Sequence, residues 1–179
     1  MTHFTCVLEK GIIQIYTGNG KGKTTAAIGL GMRAVGAGLK VYMIQFMKGY
    51  PYSEVEALRE VKNFTVKQFG RAEFVDKENP AEIDIKYAND ALKYAKDVIK
   101  SGKYDVVILD EINVAMDFGL INEKEVLDLM KEKPENMELV LTGRYAPQEI
   151  LKNADLITEM LEIKHPYKSG MKCRKGIDW

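Results

Sequence analysis

The sequence predicts an α/β protein built on a mostly parallel sheet with helices on both faces. Two observations carry this. Short apolar runs alternate with helical patterns along the chain, the arrangement that leads to crossover connections and hence parallel pairing. Three of those runs, VYMIQF, DVVILD and ELVLTG, are nearly continuously apolar, as strands are when both faces of their sheet are buried. In such sheets ligands gather at the carboxyl ends of the strands, so the residues just after each run carry the functional question.

In chain order, a strand is expected over residues 12–16, then the stretch TGNGKGKTT (Thr17 to Thr25) and a helix over 25–35. A strand over 41–46 precedes a helix over 54–61, where Ser53 and Glu56 stand at capping-box spacing. A strand over 64–68 leads to a long helix over 81–100. Ile83, Tyr87, Ala91, Tyr94 and Val98 recur there at helical spacing, and Ser101-Gly102 supplies a glycine stop. The strand over 104–109 ends in Asp110-Glu111. Asn122 introduces a helix over 123–131. A strand over 138–141, a short helix starting near Pro147 and a strand over 156–163 complete the pattern. No repeat, low-complexity tract or Pro/Gly/Ser-rich linker divides the 179 residues, so one domain over 1–179 is expected.

Composition excludes some classes. Lys plus Arg total 26 and Asp plus Glu total 26, so no charge excess points to nucleic acid or an anionic membrane. Cys6 and Cys173 stand far apart with no metal-ligand spacing, which fits a reducing compartment, a disulfide between the two being the alternative. The segment MTHFTCVLEKGIIQIY has no basic stretch followed by a long apolar core. No apolar run approaches the ~20 residues of a membrane span. A soluble, cytoplasmic protein is expected.

The stretch TGNGKGKTT follows an apolar strand and opens a helix, as a phosphate-binding loop does. The usual form begins with glycine five positions before the Gly-Lys-Thr; here Thr17 stands there and the first glycine is Gly18. The physics survives. Gly18, Gly20 and Gly22 let backbone N–H groups turn toward an anion, and the helix behind adds its partial positive charge. Lys23 supplies a point charge for phosphate oxygens, Lys21 a second one, and the Thr24 hydroxyl can take a Mg²⁺ coordination position.

At the end of DVVILDE, Asp110 and Glu111 occupy the Walker-B position, where a carboxylate meets the metal directly or through water. The two are expected to share the task, with Glu111 the candidate direct ligand. LVLTGR ends another strand in Thr142, Gly143 and Arg144. Loop and acidic strand end together predict a RecA-like P-loop NTP-binding fold. Asp105, Lys48 and Lys103 read equally well as solvated, His165 beside Pro166 reads as a loop histidine, and no Ser/His/Asp or Cys/His arrangement is evident.

Three segments go further: IIQIYTGNGKGKTTAAIGLGMRAVGAGLKVYMIQFMKG, DVVILDEIN and LVLTGRYAPQEILKNADLITEMLEIKHPYKSGMKCRKGID. They closely resemble the P-loop type of ATP:corrinoid adenosyltransferase, from about Gly11 to the end, with the middle of the chain the loosest part. The resemblance implies transfer of the 5′-deoxyadenosyl group of ATP to the Co(I) of a reduced corrinoid, cobalamin or cobyrinic acid a,c-diamide. Cobalt is the nucleophile, the ribose C5′ the electrophile, and triphosphate leaves. The nucleotide would lie reversed in the loop, so that Lys21 and Lys23 stabilise a leaving group. Substrate contacts are expected from Gly18, Asn19, Gly20, Lys21, Gly22, Lys23, Thr24, Thr25, Arg144 and Phe74, and metal contacts (Mg²⁺ or Mn²⁺) from Thr24, Asp110 and Glu111.

The chain departs from the family in places. The corrin-facing Phe-x-Trp pair falls on Phe74 and Asp76, and Arg174-Lys175 stand where members often carry glutamine. A homodimer and a reductase supplying Co(I) are implied partners. Two other readings compete: an ATPase or kinase of RecA-like architecture, predicting orthophosphate or a phosphorylated acceptor, and a module that binds a corrinoid in an ATP-dependent way without chemistry.

Overall fold

The computed structural model describes residues 8–178, and Cys6 lies outside them. Six strands form its centre: β1 (Ile13–Thr17), β2 (Val41–Phe46), β3 (Phe64–Phe69), β4 (Val106–Asp110), β5 (Glu138–Thr142) and β6 (Leu156–Glu159). All neighbours pair in parallel, in the order β3-β2-β4-β5-β1-β6. The helices are α1 (Lys23–Gly36), α2 (Ser53–Arg59), α3 (Glu82–Lys100), α4 (Ile112–Asp117), α5 (Glu123–Lys131) and α6 (Gln148–Lys152), followed by a 3-10 turn at Pro166–Ser169. This is the expected α/β architecture, a parallel sheet between helical layers, and it is consistent with a RecA-like P-loop fold. No helix among the described residues is long and apolar enough to cross a membrane.

Successive strand residues face opposite layers. Tyr42, Ile44 and Phe46 of β2 join one core with α3, α4 and α5, through residues such as Leu92, Ile112 and Leu129. Val41 and Met43 join the other with Ala27 and Ala34 of α1 and Leu58 of α2. All six residues of β2 are buried, which explains why its run is apolar but for Gln45: a strand covered on both sides has no solvent face to mark with polar residues.

Where structure and expectation differ, local chemistry gives the reason. The strand expected over 156–163 stops at Glu159, an edge strand with four exposed residues and only β1 as neighbour. The capping box does not form: Tyr52 is the N-cap of α2, with no side-chain cap bond, and Ser53 is already its first helical residue. The cap at α5 does form, with Asn122 Oδ1 accepting from the Lys124 amide at 2.8 Å. The long helix stops at Ser101, ahead of Gly102 with φ 61°. Helix α4 is an addition. Its sequence, INVAMD, continues the apolar run of β4, and only Glu111, in the left-handed region at φ 63°, separates strand from helix.

Candidate active site

The phosphate loop runs from the end of β1 to the start of α1. Gly22 takes φ 117° as the N-cap of α1, a conformation that a side chain would strain. Gly20 is needed for a different reason. Its amide donates to the Met160 carbonyl at 2.6 Å, and a Cβ there would lie 2.6 Å from the Leu161 carbonyl oxygen. The loop is thereby pressed against the chain leaving β6. Lys23, in the first turn of α1 and only 7% exposed, donates back to the carbonyls of Gly18 (2.8 Å) and Gly20 (2.7 Å).

Beneath the loop, sheet register assembles a polar cluster. Gln45 pairs with Asp110, and Leu109 with Leu141, which sets Thr142 beside Asp110. Alternation turns Gln45, Asp110 and Thr142 toward α1, the side of Met43, Ile108 and Val140. Asp110 is fully buried and accepts four hydrogen bonds. Thr24 (2.8 Å) and Thr142 (2.7 Å) donate to Oδ1, while Lys48 (2.7 Å) and Gln45 (3.1 Å) donate to Oδ2. Lys48 reaches it because Met47, at φ 57°, bends the chain sharply after β2.

Electrostatics divide the two carboxylates. Burial pushes the Asp110 carboxyl up, but the charge of Lys48 and the hydrogen bonds from Lys48, Thr142 and Thr24 hold it below the ordinary value. Burial and the neighbouring Asp110 charge push Glu111 up, against the pull of Lys48, Lys23 and Arg144. Glu111 accepts no side-chain hydrogen bond among the described residues. The Lys23 ammonium is lowered by burial first, with Glu111 pulling it back up. Burial would lower Lys48 too, yet Asp110 and Glu111 outweigh that and push it to about 12.

Lys21 is held by the tail. Its Nζ donates to the Ile177 carbonyl at 2.7 Å and pairs with the Asp178 carboxylate, which also accepts from Arg174. Arg144, after β5, is exposed, and the turn before it is anchored by the buried Asn113, which donates to the Gly143 carbonyl at 3.3 Å. Two other turn residues, Glu111 and Tyr145 (φ 57°), also sit in the left-handed region, at about 1–3 kcal/mol each.

These residues line a cleft of about 960 Å³. Gly20, Lys21, Gly22, Lys23, Thr24, Thr25, Glu111, Arg144 and Phe74 all border it. Gly18 turns toward Met160 instead, Asn19 is exposed in the loop, and Asp110 lies under the floor. Sequence reasoning left Lys48, which borders the cleft, open between solvated and functional, and it missed Gln45 and the part of Thr142 in holding Asp110. It also missed the tail residues Cys173, Ile177 and Asp178 on the cleft wall. Only the position of Thr142 at the end of a buried strand hinted at its part.

The cleft thus brings a glycine-rich strand-to-helix loop and an acidic strand end together with Phe74, Val75, Phe118 and Tyr145. The model of the ATP:corrinoid adenosyltransferase BtuR/CobO/CobP family matches residues 9–179. A corrinoid adenosyltransferase of Sinorhizobium is 38% identical over 175 residues, covering 96% of this chain and 81% of the relative. That of Escherichia coli K12 is 36% identical over 173 residues, covering 96% and 87%. The corrinoid adenosyltransferase CobA of Salmonella typhimurium is 34% identical over 173 residues, with the same coverage. The chain belongs to the ATP:corrinoid adenosyltransferase family.

Proposed function

We propose that this protein transfers the 5′-deoxyadenosyl group of ATP to the Co(I) centre of a reduced corrinoid, cobalamin or cobyrinic acid a,c-diamide, and releases triphosphate. The observation that carries the reading is the shared cleft, which is lined both by the phosphate-loop residues Gly20 to Thr25 and by the apolar side chains of Phe74, Val75, Phe118 and Tyr145. Triphosphate and a flat macrocycle make these two demands together. The cobalt electron pair forms the Co–C5′ bond as the C5′–O bond breaks, and the departing triphosphate keeps that bond's pair. No proton moves at the reacting carbon, so no general base is required.

Charge on the leaving group is the main barrier the protein can lower. Lys23 and the loop amides face it, Lys21 joins when it leaves Asp178, and Arg144 extends the positive wall. For a divalent cation the donors fit. Thr24 donates a hydrogen bond to Asp110, which leaves its oxygen lone pairs open, and Glu111 brings a carboxylate that burial and Asp110 raise despite the nearby Lys48, Lys23 and Arg144. Asp110, with four donors already on it, acts by orienting Thr24. No cluster of three or more His, Cys, Asp or Glu among the described residues could hold a metal by itself, and Mg²⁺ characteristically needs only one or two protein ligands beside substrate phosphates. When bound, Mg²⁺ or Mn²⁺ neutralises charge on the triphosphate. A cytoplasmic homodimer served by a Co(I)-generating reductase completes the family reading.

A second reading has one observation behind it. Glu111, directly after Asp110 and with its carboxyl raised, is also what an ATPase would use to take a proton from water. The test is anaerobic: protein, chemically reduced cob(I)alamin, ATP and Mg²⁺, followed by corrin absorbance and phosphate analysis. Loss of the Co(I) band, a light-sensitive adenosylcobalamin spectrum and equimolar triphosphate support the transfer. Orthophosphate without spectral change overturns it in favour of the ATPase.

A further inference from the structure

On the border of the cleft, one aromatic side chain is held in a backbone conformation that disfavours it. Tyr145 follows Arg144 in the turn after β5 with φ 57°, a region that bulky residues avoid. It contributes nothing to the core, being 56% exposed, and its hydroxyl makes no hydrogen bond among the described residues. Backbone strain of this kind clusters at active sites and ligand clamps.

The surroundings agree. Tyr145 borders the same cleft as Phe74, which is 99% exposed. The two come from distant segments, and Lys77, three residues after Phe74 in its loop, reaches the Tyr145 side. Its Nζ pairs with Asp117 of α4 at 2.8 Å and lies 5.6 Å from the Phe118 ring centre and 5.7 Å from that of Tyr145. Arg71 clamps the start of the Phe74 loop with two bonds to Asp84, at 2.8 and 2.7 Å. Position 76, where the family resemblance would put tryptophan, instead uses its carboxylate on the loop itself: Asp76 Oδ1 accepts the Glu78 amide at 3.0 Å. The loop therefore offers one aromatic face of its own, and the β5 turn offers a second.

We propose that Tyr145 is a corrin-positioning residue whose ring, bordering the same cleft as Phe74, supplies a second aromatic surface for the macrocycle. The inference rests on the adenosyltransferase reading. A conjugated, largely apolar macrocycle is the ligand that two exposed aromatic faces suit, since ring-on-ring contact adds to the burial of apolar area.

The test compares wild type, Tyr145→Asn and Tyr145→Phe. Asparagine accepts the left-handed backbone, so it removes the ring without adding strain. Anaerobic kinetics read KM for cob(I)alamin and for ATP separately, thermal unfolding reads Tm, and a titration with cob(II)alamin in the presence of ATP reads binding without turnover. The expected result for Tyr145→Asn is a corrinoid KM and Kd raised about two- to ten-fold, with ATP KM unchanged and Tm equal or higher. Tyr145→Phe should match wild type. An unchanged corrinoid KM and Kd overturns the inference, as does a parallel rise in both KM values with a lowered Tm. If wild type makes no adenosylated product, the adenosyltransferase reading fails, while the cob(II)alamin titration still decides whether Tyr145 binds the corrin.

Discussion

Lys48 Nζ lies 2.7 Å from Asp110 Oδ2, joining the end of β2 to the end of β4 beneath the phosphate loop. The Asp110 side chain is fully buried and that of Lys48 only 14% exposed, so each ion depends on the other to offset its lost hydration. Lys48→Met strands the Asp110 charge and should destabilise the protein by about 3–5 kcal/mol. Adding Asp110→Asn should restore a large part of this, because no buried charge is then left alone. Urea denaturation of the two single variants and the double variant measures the coupling. Independent, additive losses would show that the pair is not the unit described here.

Lys23→Ala removes the buried cation nearest the loop carbonyls. Electrostatic groups of this kind are worth about 10²–10³ in kcat, so turnover with ATP and cob(I)alamin should fall by that order. The fold should persist, because the loop keeps its Gly20–Met160 hydrogen bond; far-UV circular dichroism checks it. Turnover close to wild type would take Lys23 out of the mechanism.

The pH dependence of stability should separate the two carboxylates. Glu111 is raised by burial and by Asp110. Its contribution is fully present below the ordinary carboxylate value and is lost as pH rises through the raised one. Without metal at pH 7.5, Glu111→Gln should therefore be more stable than wild type, with the gap closing toward pH 4. Mg²⁺ should stabilise wild type more than the variant. Asp110 behaves in the opposite sense, since its depressed carboxyl contributes above the ordinary value and loses that as pH falls through the depressed one. Unfolding midpoints with EDTA and with Mg²⁺ across that range read both effects.

Lys21 shares its charge with Asp178, and the same ammonium is proposed to meet phosphate. Triphosphate and the tail carboxylate are then competitors for one cation. Asp178→Asn should lower the KM for ATP by about two- to five-fold, the scale of an exposed ion pair. The effect should shrink at high salt, because exposed charges are screened. An ATP KM that rises instead would mean that the tail holds Lys21 ready for the nucleotide.

The parts of this protein legible in the sequence were those written in short windows. An apolar strand, three glycines and Lys23-Thr24 announce the phosphate loop within about a dozen residues. The alternation of buried strands with 3.6-period helices announces the layered fold, and Asn122 announces a cap that forms. Helix α4 was not legible, because INVAMD carries the same apolar signal as the strand before it, and a single left-handed residue decides the break. The tail was not legible either, since nothing local marks Asp178 as the partner of Lys21, 157 residues away.

By itself, then, the sequence determined which residues could hold phosphate and at which strand ends they stand, because backbone geometry and periodicity are local. Only the tertiary structure decided what surrounds them. Asp110 became a buried hub because parallel register set Gln45 beside it and Thr142 on the next strand. Lys48 became its counter-ion because the turn after β2 folds back across the sheet end. Tyr145 and Phe74, from distant segments, came to border one cleft. Such pairings link residues 32 to 71 positions apart in the chain, and they arise from sheet order and burial rather than from any signal carried by neighbouring residues.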